Sequence, residues 1–192
     1  ARCRPAGRAW SASVWASRLA EAGFRMSSEE AECIKSVLFT KEQIAEKVAE
    51  LGKKVSQHYE GKGTVVVVGI LKGSFIFMAD LVRQITVPHQ VGFMALSSYG
   101  SKTVSAGAVR IIMDLRTDIA GKHVLIVEDI IDSGYTLRFL LNLLKTRSPA
   151  SISTCVFLRK LDRLKCHDVI KDEDFVGFDI PDEWVVGYGL DY

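Results

Sequence analysis

Thr64 to Ile70 reads TVVVVGI, a run of β-branched residues that no charge interrupts. A strand this apolar has no face to give to water, so it belongs in a sheet covered on both sides, as parallel sheets are. Lys122 to Val127, entered from Gly121, is a second strand of the same kind, and Ser151 to Leu158 is another. Parallel neighbours need crossover connections, normally helices, and helical patterns lie between the runs. Thr40-Lys41-Glu42-Gln43 reads as a capping box, with Thr40 as N-cap and Gln43 reaching back. Ile44, Val48, Leu51 and Val55 then follow at helical spacing. Gly73 to Ile85 and Thr136 to Lys145 read as helices, and Val91 to Leu96 and Val109 to Leu115 as further strands. Alternating strands and helices define an α/β domain with a mainly parallel sheet. Ser97 to Ala108 is polar, bears Gly100 and Gly107, and is long enough to act as a lid.

The two ends read differently. Ala1 to Ala20 carries Arg2, Arg4, Arg8 and Arg18 and no acid. That is a transit-peptide composition, and Met26 offers an alternative native start. Residues 1–25 are therefore expected to be a leader, probed apart from a domain over 26–192. Met26 as the start implies the cytoplasm, and a genuine leader implies an organelle. The stop at Tyr192, directly after an apolar strand-like run, reads as a truncation. The cysteines Cys3, Cys33, Cys155 and Cys166 form no CxxC pair. With singly scattered histidines they give no zinc spacing, and free thiols suit a reducing compartment. A net charge of +2 gives no electrostatic footprint for nucleic acid or an anionic membrane. No apolar run approaches the roughly 20 residues of a bilayer span.

The chemistry is concentrated in Val124 to Leu137, VLIVEDIIDSGYTL. A buried strand leads into acids, a turn of small residues and a helix. Ligands of open α/β sheets bind at the carboxyl ends of the strands. Two adjacent carboxylates there, Glu128 and Asp129, are costly without a partner such as vicinal hydroxyls or hydrated Mg²⁺. Ser133, Gly134 and Thr136 open the helix, where exposed N–H groups favour a phosphate. A ribose 5-phosphate has this layout. The residues alone leave open a plain acidic turn in which Asp132 caps the helix. Neither a GxxxxGK[ST] loop nor a GxGxxG pattern is present, which argues against those nucleotide folds.

The segment EDIIDSGYT resembles the phosphoribosyl pyrophosphate motif of the phosphoribosyltransferases, in their hypoxanthine-guanine branch. Leu71-Lys72-Gly73-Ser74, Ser98-Tyr99-Gly100 and Phe175-Val176-Gly177-Phe178-Asp179-Ile180-Pro181-Asp182 match that branch in order. The resemblance covers roughly Val37 to Tyr192. It implies a type I phosphoribosyltransferase fold, a mainly parallel sheet flanked by helices with a small hood subdomain. It also implies a homodimer or homotetramer that takes phosphoribosyl pyrophosphate and a 6-oxopurine, with Mg²⁺. Glu128 and Asp129 would hold the ribose hydroxyls and in part Mg²⁺, with Ile130 beside them. Asp132 would be the general acid/base at the purine N7. Ser133, Gly134, Tyr135 and Thr136 would bind the 5-phosphate, and Lys72 and Gly73 would face pyrophosphate. Ser98 and Tyr99 would sit on the lid. Lys160 would donate to the purine 6-oxygen, Phe175 would stack on the base, and the Val176 backbone would touch its edge. Asp182 would help hold a second Mg²⁺. Two departures stand out: Tyr135 replaces a lysine found in some members, and the family continues past Tyr192 with an arginine-bearing segment. Rival readings are transfer to xanthine or a pyrimidine, a regulator that binds nucleic acid, and a structural module.

Overall fold

The computed structural model describes residues 36–98, 109–171 and 174–190. The leader expected at 1–25 and Tyr99 lie outside the described residues. Two compact units divide the chain, Ala1–Glu46 and Lys47–Tyr192. In the first, the capping box forms: the Thr40 amide donates to Gln43 Oε1 at 2.8 Å, and the Gln43 amide to Thr40 Oγ1 at 3.3 Å. These bonds satisfy amides that a helix start leaves without intrahelical partners.

The helix they begin is α1 (Lys41–Tyr59). Then follow β1 (Val65–Leu71), α2 (Phe75–Val82), β2 (His89–Ser98), β3 (Val109–Met113) and β4 (His123–Ile131). The order closes with α3 (Tyr135–Lys145), β5 (Ser151–Lys160), a 3-10 turn at Leu161–Arg163 and β6 (Phe175–Ile180). One six-stranded sheet has the order β3-β2-β1-β4-β5-β6. All pairings are parallel except β2 with β3, which is antiparallel. The two valine-rich runs, β1 and β4, are neighbours at the sheet centre, where both faces are covered. Val66, Val68, Val124 and Ile126 pack on one face with Leu137, Leu140 and Leu144 of α3, all fully or nearly fully buried.

Several element ends shift from the sequence reading, and three of the shifts bear on the site. β4 runs on through the acids to Ile131, because β5 continues to pair with it at Ile130↔Leu158 and Ile131↔Arg159. α2 is shorter than Gly73 to Ile85, since Lys72 to Ser74 form a turn in which Ser74 Oγ donates back to the Ile70 carbonyl at 2.6 Å. The apolar run near the end is not a strand. Gly187 and Leu190 bridge across a turn, and Gly187, Tyr188 and Gly189 all have positive φ.

Candidate active site at the carboxyl ends of the strands

The site begins at the turn after β1. Lys72 is exposed there and Gly73 is half-buried. A Cβ on Gly73 would overlap the Asp129 carboxylate, so only glycine lets the β1 turn and the β4 acids approach this closely. The Leu71–Lys72 peptide bond is cis.

Glu128 and Asp129 lie inside β4, so their side chains leave opposite faces of the sheet. Asp129 lies over Gly73, and one of its oxygens accepts from the Ile130 amide at 2.8 Å. Glu128 is 7% exposed. Burial, and then the neighbouring Asp129 charge, push its carboxyl well above its usual range.

Beyond Ile131 the chain turns through Asp132, Ser133 and Gly134 into α3. Gly134 has φ 83° and is itself the N-cap, with no side-chain cap bond. The alternative in which Asp132 caps this helix is therefore excluded. The left-handed backbone favours glycine, and a Cβ there would also press on Cys166, Leu164 and Val169 at 3.1–3.2 Å. The Ser133 carbonyl accepts from the amides of Lys165 and Cys166 at 3.1 and 3.2 Å. The first turn of α3 carries no acid, so its leading N–H groups, beside Ser133 and Thr136, present a positive end suited to a phosphate. Tyr135 points outward, with the Arg138 guanidinium 5.3 Å from its ring centroid.

The ends of β5 and β6 complete the face. Lys160, the last residue of β5, is 8% exposed, and its Nζ lies 3.4 Å from Asp182 Oδ1. Arg163 Nε donates to Asp132 Oδ1 at 3.0 Å, and its Nη1 lies 3.6 Å from Asp182 Oδ2. Hydrogen bonding to Asp132, and the charges of both acids, raise the Arg163 pKa further. After Asp182 the chain crosses toward β1: Tyr188 Oη donates to Asp80 Oδ2 of α2 at 2.7 Å, and a Cβ on Gly189 would lie 3.0 Å from the Gly73 carbonyl. Trp184 sits within this crossing and is 88% exposed.

The structure thus brings together Lys72, Gly73, Glu128, Asp129, Ile130, Asp132, Ser133, Gly134, Tyr135, Thr136, Lys160 and Asp182 at one end of the sheet. Ser98 ends β2 at the same carboxyl side. Two expectations, those for Phe175 and Val176, need correction. Phe175 and Val176 pair with Cys155 and Val156, five and four rungs before the Lys160↔Ile180 rung, or roughly 16 and 13 Å back at about 3.3 Å per residue, and Val176 stands level with Glu128 through Val156. Phe175 is 7% exposed and meets the His58 ring edge-on at 5.6 Å. It is core, and Trp184 is an open aromatic at the site end. Asp182, expected to help hold a second Mg²⁺, lies beside two cations, Lys160 and Arg163. Arg163 and Trp184 stand at the same end of the sheet and were not singled out in the sequence. A cation three places beyond Lys160 and an aromatic two places beyond Asp182 were the available signals.

For the metal, the fit is partial. Glu128 and Asp129 are hard oxygen donors, and Asp129, on the face of the Gly73 turn, is the one placed to share Mg²⁺ with a ligand. No cluster of three or more potential ligands occurs among the described residues. Mg²⁺ needs no such cage when one or two carboxylates share it with substrate phosphates. Two hollows of about 440 and 230 Å³ lie elsewhere, and none of these site residues lines them.

An anion-ready helix start beside carboxylates at the carboxyl ends of parallel strands defines an α/β protein that binds sugar phosphates. Comparison with known proteins narrows the class. The model of the phosphoribosyl transferase domain matches residues 34–192. A hypoxanthine-guanine phosphoribosyltransferase of Dictyostelium discoideum is 51% identical over 161 residues, 82% of this chain and 88% of that protein. One from Mycobacterium avium is 51% identical over 164 residues, 83% and 79% of the two chains. The crystal structure of a hypoxanthine-guanine phosphoribosyltransferase from Bacillus anthracis superposes with a TM-score of 0.77 at 43% identity, covering 83% of this chain and 91% of that one. The Trypanosoma cruzi hypoxanthine phosphoribosyltransferase in complex with its product IMP gives 0.74 at 41% identity, covering 82% and 87%. The chain belongs to the phosphoribosyltransferase family, in its hypoxanthine-guanine branch.

Proposed function

We propose that this chain serves purine salvage by transferring the 5-phosphoribosyl group of phosphoribosyl pyrophosphate to hypoxanthine or guanine, giving IMP or GMP and pyrophosphate. The observation that carries the reading is the convergence of the Asp132 carboxylate, the uncapped start of α3 and the buried Lys160 at one end of the sheet. The amides and hydroxyls of Ser133 to Thr136 receive the 5-phosphate. Asp129, beside Gly73, holds the ribose hydroxyls, with the buried Glu128 carboxyl next to it in β4. Asp129 also stabilises positive charge that builds on the sugar as the C1–oxygen bond to pyrophosphate breaks and the C1–nitrogen bond forms. Lys72 and Gly73 face the leaving pyrophosphate. Asp132 takes up the proton the imidazole ring of the base must release. Lys160 donates to the 6-oxo group, which adenine lacks, and Trp184 stacks on the ring in place of Phe175. Closure of the segment that contains Ser98 and Tyr99 excludes water. Mg²⁺, where bound, would be held through Asp129 and would supply charge neutralisation to the departing pyrophosphate.

The same reading takes the protein as cytoplasmic and homo-oligomeric, a dimer or tetramer. The free thiols of Cys155 and Cys166 support the first, and exposed Ile112 and Phe75 supply apolar surface for the second. Light scattering on the eluted protein measures the assembly. The activity is tested by pyrophosphate release with hypoxanthine, guanine, xanthine, adenine and uracil offered separately, with and without Mg²⁺. Release with hypoxanthine or guanine that depends on Mg²⁺ is expected. Release with adenine or uracil instead would overturn the base assignment.

A further inference from the structure

The roles above leave one feature of the site unused. Asp132, Arg163, Asp182 and Lys160 form a chain of alternating charge across three separate strand ends. Its centre is a single guanidinium placed between two carboxylates that come from different halves of the site. Asp132 belongs to the phosphate loop after β4. Asp182 begins the crossing that carries Trp184. Arg163 itself stands in the turn after β5, and the residues just beyond it, Lys165 and Cys166, donate their amides to the Ser133 carbonyl of the phosphate loop. The segment 163–166 therefore grips that loop through both backbone and side chain, and reaches the base side through the side chain alone.

We propose that Arg163 is a positioning residue, a latch that couples the phosphate loop to the base-contacting crossing, so that filling one half of the site improves the other. This rests on the function proposed above. The geometry calls for arginine. Its planar fork donates to Asp132 from Nε while Nη1 stays in ion-pair range of Asp182, whereas a lysine offers one point charge. The side chains of Arg163, Asp132 and Asp182 are 52%, 45% and 49% exposed, and ion pairs this open contribute little to stability. The latch thus acts on how the two halves are held relative to each other, and its loss is separable from unfolding. Coupling between two binding subsites is reciprocal, so its absence weakens a ligand that spans both halves and spares one that occupies a single half.

The test uses the full chain with Mg²⁺ and two probes, read by calorimetry. GMP spans the phosphate loop and the base contacts, and ribose 5-phosphate reaches the phosphate loop only. In Arg163→Ala, GMP affinity is expected to fall about tenfold, with ribose 5-phosphate affinity and the melting temperature unchanged. In steady state the KM for hypoxanthine should rise by a similar factor while the KM for phosphoribosyl pyrophosphate holds. Arg163→Lys should recover only part of the loss. Unchanged GMP affinity in Arg163→Ala, a parallel loss for both probes, or full recovery by lysine would each overturn the latch and leave the proposed function standing. Wild-type protein that binds neither probe would overturn the proposed function, and the latch with it.

Discussion

The two ends of β6 look alike in sequence and do opposite work. At its amino end, Phe175 is buried edge-on against His58, with Tyr59 and His123 close by in the same aromatic group. Past its carboxyl end, Asp182 meets Lys160 and Arg163, and Trp184 stands open to solvent. Each end offers an aromatic followed by valine, Phe175-Val176 in one case and Trp184-Val185 in the other. What separates them is the direction of the sheet. In a parallel sheet every carboxyl end falls on the same side, so the loops after β1, β4, β5 and β6 share one face, and the residues that begin those strands are left to the core. In the proposed reaction the aromatic that meets the base is the one standing beyond a strand end, Trp184, and a stacking motif read without register gives Phe175 instead.

The sharpest way to break this contrast is Phe175→Ala. Removing a buried phenyl ring should cost about 3–5 kcal/mol of stability, seen as a lower denaturation midpoint, while the folded fraction keeps its KM for the purine. A raised KM with unchanged stability would return Phe175 to the site. Lys160→Ala comes next. A hydrogen bond from a charged donor is worth about 1.5–3 kcal/mol, so kcat/KM for hypoxanthine should drop by about tenfold or more. An unchanged purine profile would remove Lys160 from the 6-oxo contact. Trp184→Ala should weaken purine binding by about 1–3 kcal/mol, the usual worth of stacking a base on an aromatic ring, with no change in melting temperature. Loss of stability instead would make Trp184 a packing residue.

The smallest effect concerns the buried acid. Glu128 has its carboxyl pKa raised above the ordinary 4.5 by burial and by Asp129. The folded protein then holds this proton to higher pH than the unfolded chain does. For this group, stability is greatest below the unfolded value and declines as pH rises through the folded one. Glu128→Gln should therefore raise the melting temperature of the metal-free protein by a few degrees at neutral pH, make no difference near pH 4, and lower turnover. An equal melting temperature at neutral pH would mean the carboxylate is already compensated.

Much of this was legible because it is local. The valine runs need two covered faces, Thr40 and Gln43 are three residues apart, and Gly134 stands where small residues join a strand to a helix. What escaped depends on partners distant in sequence. β4 extends through its acids because β5 pairs with them. Phe175 is core because of the β5–β6 register. Arg163 finds Asp132 31 positions away, which no spacing within one segment announces.

In the proposed reaction Asp132 is the group that takes the proton at the carboxyl end of the sheet. Pyrophosphate release with saturating hypoxanthine and phosphoribosyl pyrophosphate, compared between the wild-type chain and Asp132→Asn, tests it most directly. The predicted result is a fall in kcat of roughly 10²–10⁴ in a variant that melts like the wild type and still binds GMP. A kcat within a factor of a few of wild type would contradict it.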